Sequence, residues 1–211
     1  MQIIDLSHPF YEGMPQYREK WYSSSRVIKQ IDTESGKAIF KLDLMASCGT
    51  HIKAPKFQRS DLRAIEHLSM KELFHYASVV HLSDKREKEL ITFEDLQAFY
   101  IKPGDGVVIH TGWSTFWESG EYYIDFPLIT SDAAEYLIDE KNISFLGADV
   151  PLSPEVQQAV LENDRFLIEN LTNLDQINLN RFFLIALPLN IYASNAAPAR
   201  VVAVENDNFI V

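Results

Sequence analysis

The chain of 211 residues carries 30 acidic and 19 basic side chains, a formal net charge of −11 at pH 7. An acidic surface repels phosphate backbones and anionic lipid, which excludes nucleic acid and such membranes as expected partners. Hydrophobic residues make up 46% and charged residues 23%, a globular mix long enough to bury a core without disulfides or structural metals.

In chain order, the pattern predicts strands at 2–6 (QIIDL), 26–31 (RVIKQI) and 38–45 (AIFKLDLM). The third alternates with period two: Ala38, Phe40, Leu42 and Leu44 form an apolar face, and Ile39, Lys41, Asp43 and Met45 a mixed one. A helix is expected over 64–74 (AIEHLSMKELF), then a strand at 77–82 (ASVVHL). Thr92, with Asp95 at the third helical position, starts a helix in FEDLQAFY by a capping box. A strand follows at 106–112 (GVVIHTG), a helix after Ser131 (DAAEYLIDE) and a strand at 143–149 (ISFLGAD). Ser153 followed by Pro154 is an N-cap with proline at the first helical position, opening EVQQAVLEN. The last strands are expected at 165–170 (RFLIEN), 182–189 (FFLIALPL) and 200–205 (RVVAVE). The short, uniformly apolar runs suit central strands buried on both faces.

No repeat, low-complexity tract or Gly/Ser/Pro-rich linker divides the chain, so residues 1–211 read as one domain. Strands precede the helices and the later half alternates, which predicts an α/β domain with a mixed β-sheet rather than a regular doubly wound fold. The longest apolar run, FFLIALPLNIYA, is interrupted by Pro188 and Asn190 and falls short of a membrane span. The N-terminus lacks the basic and apolar regions of a signal peptide, and the single cysteine, Cys48, has no internal disulfide partner. The cytoplasm is the expected location.

Six blocks resemble, in order, the cyclase family of metal-dependent hydrolases, which includes bacterial kynurenine formamidase and isatin hydrolase. They are IIDLSHPFYEGMPQY, SCGTHIKAP, GDGVVIHTGW, FLGADVPLSP, IENLTNLDQI and APARVVAV. The second resembles the family signature H-x-G-T-H-x-D-x-P-x-H. The resemblance implies a swivelling β/β/α fold and hydrolysis of amide, formamide or lactam bonds by a water activated on zinc or manganese. It also implies a homodimer or homotetramer.

Carried over position by position, the resemblance places the first signature histidine at Ser47, the second at His51, the aspartate at Lys53 and the last histidine at Phe57. A later helical histidine falls on Gln157, or on neighbouring Gln158, and a glutamate on Glu169. Two of these six positions, His51 and Glu169, keep a strong donor. A catalytic zinc usually has three protein ligands, and a lysine ammonium has no lone pair to offer. The expectation is therefore no metal cofactor.

His51 and Glu169 read as a relic pair or as members of a metal-free site, against ordinary packing of a loop histidine. Lys53 reads as an ammonium replacing the metal's positive charge, against a solvated surface lysine; the former predicts a Lys53–Glu169 ion pair. Cys48, three residues before His51, suggests a thiolate–histidine pair, but a small buried filler is the simpler reading. Gly49 suits a turn where a Cβ would clash, and Thr50 suits a bond to the loop backbone. Tyr17, Trp21, Trp113 and Trp117 are candidates to line a pocket for an aromatic ligand, against core packing. Three functions follow: a metal-free small-molecule-binding homologue, a hydrolase with an altered or weak metal site, and a structural or oligomeric accessory protein.

Overall fold

A computed structural model describes residues 1–17, 24–32 and 34–205. The strands are β1 (Gln2–Asp5), β2 (Arg26–Ile31), β3 (Ala38–Asp43), β4 (His51–Lys53), β5 (Phe74–His81), β6 (Leu90–Ile91), β7 (Gly106–His110), β8 (Leu128–Ile129), β9 (Phe145–Ala148), β10 (Phe166–Glu169), β11 (Arg181–Pro188) and β12 (Ala196–Glu205). The helices are α1 (Met70–Leu73), α2 (Phe93–Gln97), α3 (Ser131–Asp139) and α4 (Pro154–Glu162).

Eight strands form the main sheet in the order β1-β12-β11-β5-β7-β9-β10-β4. Strand β12 also pairs with β4, through Ala196↔Lys53, Ala197↔Ile52 and Pro198↔His51, which closes a barrel-like ring of seven strands. One edge of β12 is thus shared: its first residues hold β4, and Val202 to Glu205 hold β1. The pairs β5–β7, β7–β9 and β9–β10 are parallel and the rest of the ring is antiparallel. The mixed α/β class expected from the sequence is the one observed.

The parallel strands are buried on both faces, as their uniform Val, Ile, Leu and Phe content requires. One face, with Val107, Ile109, Leu146 and Leu167, packs against Leu137 of α3 and Val156 and Val160 of α4. The other, with Val108, Phe145, Phe166 and Ile168, forms a second cluster with Ile52, Leu184 and Val201. Gly106 is needed where β7 passes Phe145: a Cβ there would lie 2.1 Å from the ring. Phe145 is itself fully buried and stacked on Phe166, so it has no room to retreat. Gly106→Ala is expected to cost about 3 kcal/mol, the upper end for an overpacked core, read as a lower urea midpoint with an unchanged slope.

Several elements differ from expectation. The helix expected over 64–74 is a short turn, Ile65–His67, followed by α1. Ser69 separates them: extended backbone at Leu68 and Ser69 lets the Ser69 side chain cap the Glu72 N–H while Glu72 caps Ser69 in return. The helix α3 begins at Ser131 itself, with Thr130 rather than Ser131 at the N-cap. Strand β12 starts four residues before the expected 200–205 run, because Ala196–Pro198 continue the extended chain to meet β4. Strands β4, β6 and β8 are only two or three residues long and leave no periodic signal. The apolar alternation of β3 is real, but all six of its residues face water, on a two-stranded sheet with β2.

Candidate active site

Antiparallel pairing of β4 with β10 sets Glu169 opposite His51 and Leu167 opposite Lys53. Residues two apart share a face, so His51, Lys53 and Glu169 project to the same side of the sheet. Ile52 and Ile168, between them, point to the other side and join the apolar cluster there. The first turn of α4 closes over the polar trio. Ser153 caps the helix through the Val156 N–H, Pro154 occupies the first position, and Gln157 faces the sheet.

The expected ion pair is present. Lys53 Nζ lies 2.9 Å from both Glu169 Oε1 and Oε2, and donates to Gln157 Oε1 at 3.3 Å. The residues are 6% and 3% exposed, so Lys53 is no solvated surface lysine. Burial pushes the Glu169 carboxyl upward, but the Lys53 ammonium and then His51 outweigh it, and the net shift is below the ordinary carboxylate value. Phe57 presents its ring to the ammonium, 4.5 Å from Nζ to the centroid, a cation–π contact.

His51 is 2% exposed. Its Nδ1 lies 2.9 Å from the Gly49 carbonyl, which can only accept, so Nδ1 carries a proton. In the neutral ring Nε2 then holds the lone pair. That atom has no hydrogen-bond partner among the described residues, and it lies 3.5 Å from Glu169 Oε2. The loop supporting it is tightly built. Gly49 has φ +59°, and a Cβ there would lie 2.8 Å from the Phe10 ring. Thr50 Oγ1 donates to the Asn170 carbonyl and accepts the His8 N–H. Asn170 Nδ2 donates to the Gly49 carbonyl at 2.8 Å, beside His51 Nδ1.

A cavity of about 370 Å³ opens over the trio. Ser47, Phe57 and Gln157 line it together with His51, Lys53 and Glu169, so all six positions singled out from the sequence converge on one space. Gln157 rather than Gln158 faces it; Gln158 turns outward to Glu162. Tyr17 lies on its wall, edge-on to Tyr123. Trp21 lies outside the described residues. Trp113 is not on this wall: it is buried against Phe116, its indole N–H donating to the Tyr122 carbonyl. Trp117 is also buried, stacked on His8 with ring centroids 4.1 Å apart, and burial lowers the His8 pKa to about 4. Cys48 is buried and burial raises its thiol pKa, which suits a filler and not a nucleophile.

The sequence reading missed Asn170, Tyr123, Phe126 and Leu152 on the cavity wall. Asn170 had a signal in its place directly after Glu169 in the IENLTNLDQI block; it adopts left-handed backbone (φ 59°), which asparagine tolerates. Behind the wall, the Tyr122 hydroxyl lies 2.9 Å from the Asp149 carbonyl and 3.1 Å from Asn170 Oδ1. Asp149 is fully buried. Its Oδ1 accepts the Thr111 N–H and hydroxyl, and its Oδ2 the Gly112 N–H. With three donors but no cation at its oxygens, burial dominates and raises the Asp149 pKa to about 6.

Among the described residues, no group of three or more His, Cys, Asp or Glu side chains is placed to hold a metal ion, and no helix is long and apolar enough to cross a membrane. The chain is similar to a kynurenine formamidase of Bacillus anthracis, 24% identical over 206 residues, covering 94% of this chain and 95% of the relative. It is also similar to a solved structure described as a potential metal-dependent hydrolase with cyclase activity, with 27% identity, a TM-score of 0.78 and 96% of each chain covered. Isatin hydrolase A from Ralstonia solanacearum shares the fold, with a TM-score of 0.85 and 21% identity over 96% of this chain and 91% of that one. The Cyclase family model matches residues 4–153, well over half of the length, and the chain belongs to the cyclase family.

Proposed function

We propose that this protein is a cyclase-family homologue that works without a metal and uses its cavity to bind a small, largely apolar molecule. The observation that carries this reading is the buried Lys53 ammonium, 2.9 Å from both oxygens of Glu169. A divalent ion needs those oxygens and is repelled by the ammonium. The remaining donors at the carried-over positions fit no better. Phe57 offers none, Ser47 and Gln157 are poor ligands for zinc, and His51 alone falls short of the three protein ligands of a catalytic site. Tyr17, Tyr123, Phe126 and Phe57 on the wall favour an aromatic ligand.

A second reading rests on the unpartnered His51 Nε2. Held by the Gly49 carbonyl, the neutral ring keeps a lone pair on that atom, 3.5 Å from Glu169 Oε2 and at the edge of the cavity, and a proton accepted there from bound water or substrate would be held by the carboxylate. Lys53 would then steady developing negative charge, and the cavity would hydrolyse an amide or formamide bond.

Protein purified without chelators is expected to contain far less than one zinc or manganese per chain by elemental analysis. It is also expected to leave N-formylkynurenine unhydrolysed. Near-stoichiometric metal, with turnover lost on chelation, would overturn the metal-free reading. Turnover that survives chelation and disappears in His51→Ala would select the second reading over the first.

A further inference from the structure

If the cavity over Lys53 is a binding site, as proposed above, its hydrogen-bond inventory fixes the polarity of the occupant. The Lys53 ammonium has three N–H groups, and three oxygens face it: Glu169 Oε1 and Oε2 at 2.9 Å and Gln157 Oε1 at 3.3 Å. None is left over for a ligand. Asn170 is used up likewise. Its two amide N–H groups point to the Gly49 carbonyl and the Tyr123 hydroxyl, and its Oδ1 faces the Tyr122 hydroxyl. Of the buried polar side-chain atoms that lack a hydrogen-bond partner among the described residues, one belongs to the cavity wall, and it is His51 Nε2.

That atom is an acceptor. Nδ1 carries the ring proton toward the Gly49 carbonyl, so Nε2 presents a lone pair. Glu169 Oε2, 3.5 Å away, is an acceptor too. Two acceptors side by side repel a carbonyl, ether or carboxylate oxygen brought up to them, and they attract an N–H or O–H. A ligand that excludes water and leaves Nε2 unpaired forfeits the hydration of that atom.

Charge narrows the class further. Among the described residues, Lys53 and Glu169 are the oppositely charged pair on the wall, and they cancel. A carboxylate would be buried with no free cationic donor to meet it. An ammonium would have to share Glu169 with Lys53, two cations on one anion. Either arrangement leaves a desolvated charge without its own partner, which is costly. The rest of the wall, with Phe57, Tyr123, Phe126 and Leu152, offers rings and apolar surface.

We infer that the cavity takes an uncharged aromatic molecule whose buried polar group is an O–H or N–H donor, and that His51 Nε2 is the atom that reads this group. The test is calorimetric titration at pH 7 with three bicyclic probes of one shape. 2-Naphthol is a neutral donor, 2-methoxynaphthalene a neutral acceptor without a donor, and 2-naphthoate an anion. 2-Naphthol is expected to bind about tenfold tighter than either of the others, the worth of one hydrogen bond to an otherwise unpaired buried atom. In His51→Phe, checked for folding by circular dichroism, the preference for 2-naphthol over 2-methoxynaphthalene should vanish. Equal or tighter binding of the ether or the naphthoate would overturn the inferred polarity and leave the apolar binding cavity standing. Binding of none of the three would overturn both. A folded His51→Phe that keeps the preference would overturn the part given to His51. Should that variant not fold, the ranking of the three probes on the wild type decides alone.

Discussion

Lys53→Met is expected to destabilise the protein by about 3–5 kcal/mol, because it leaves the Glu169 carboxylate alone in a buried site. Glu169→Gln should cost a similar amount by stranding the ammonium. The double variant Lys53→Met/Glu169→Gln should cost clearly less than the two singles added together, since neither charge is then left over. Urea denaturation of the four proteins measures the coupling; strict additivity would show that the two charges do not sense each other. The pH dependence has a definite sign. The Glu169 carboxyl has a folded value below its ordinary 4.5, so the native state binds fewer protons than the unfolded chain. Its contribution is complete above the unfolded value and drains away as pH falls through the lower folded one. Acid unfolding of the wild type should therefore steepen below about pH 4.5, and the double variant should lack that component.

Asp149 is expected to behave in the opposite sense. Asp149→Ala strips partners from the Thr111 and Gly112 N–H groups and from the Thr111 hydroxyl, in a site closed to water. A loss on the order of 4 kcal/mol is expected from the unsatisfied donors. For a chain of this size that lowers the melting temperature by roughly 10 °C. The folded pKa of Asp149, about 6, lies above its ordinary 3.8, so the native state holds the proton more tightly. The associated stability is present at the acid end and is lost as pH rises from about 4 through 6. Asp149→Asn cannot ionise, so stability curves for it and the wild type should diverge across that interval. Parallel curves would contradict the assigned shift.

Much of the scaffold is legible from local chemistry. Ser153-Pro154 and the Thr92/Asp95 box announce α4 and α2 because capping is settled within four residues. The alternation in 38–45 announces β3, yet it cannot say whether its apolar face meets the body, and it does not. The strand β4 is invisible locally. His51–Lys53 becomes a strand only because residues more than a hundred positions later supply both of its neighbours. Ser69 divides the expected 64–74 helix through an extended backbone that periodicity does not register.

At the candidate site, the frame of the family motifs singles out His51, Lys53 and Glu169, and opposite charge at two neighbouring ligand positions of that frame predicts how Lys53 and Glu169 pair. Trp113 was misplaced because aromatic character gives no direction; its indole N–H instead meets the Tyr122 carbonyl inside the core. Tyr123 and Phe126 were missed for the converse reason. They lie between the quoted family blocks, outside any motif, and the fold brings them to the cavity that Lys53 lines.

The shared edge of β12 has a consequence for how the chain is made. Strand β4 leaves the ribosome early, but its partners are β10 and the first residues of β12. At roughly 5–20 residues per second, on the order of ten seconds separate the synthesis of Lys53 from that of Glu169. Throughout that interval Lys53 lacks its Glu169 partner and β4 lacks both of its neighbouring strands. The ring then closes through contacts of very long sequence separation, which makes it slow and leaves strand edges open while it waits. The half-made chain is thus a strand-rich segment, near neutral with 15 acidic and 15 basic residues in its first 105, whose cavity does not yet exist and whose strand edges stay open to aggregation throughout that window.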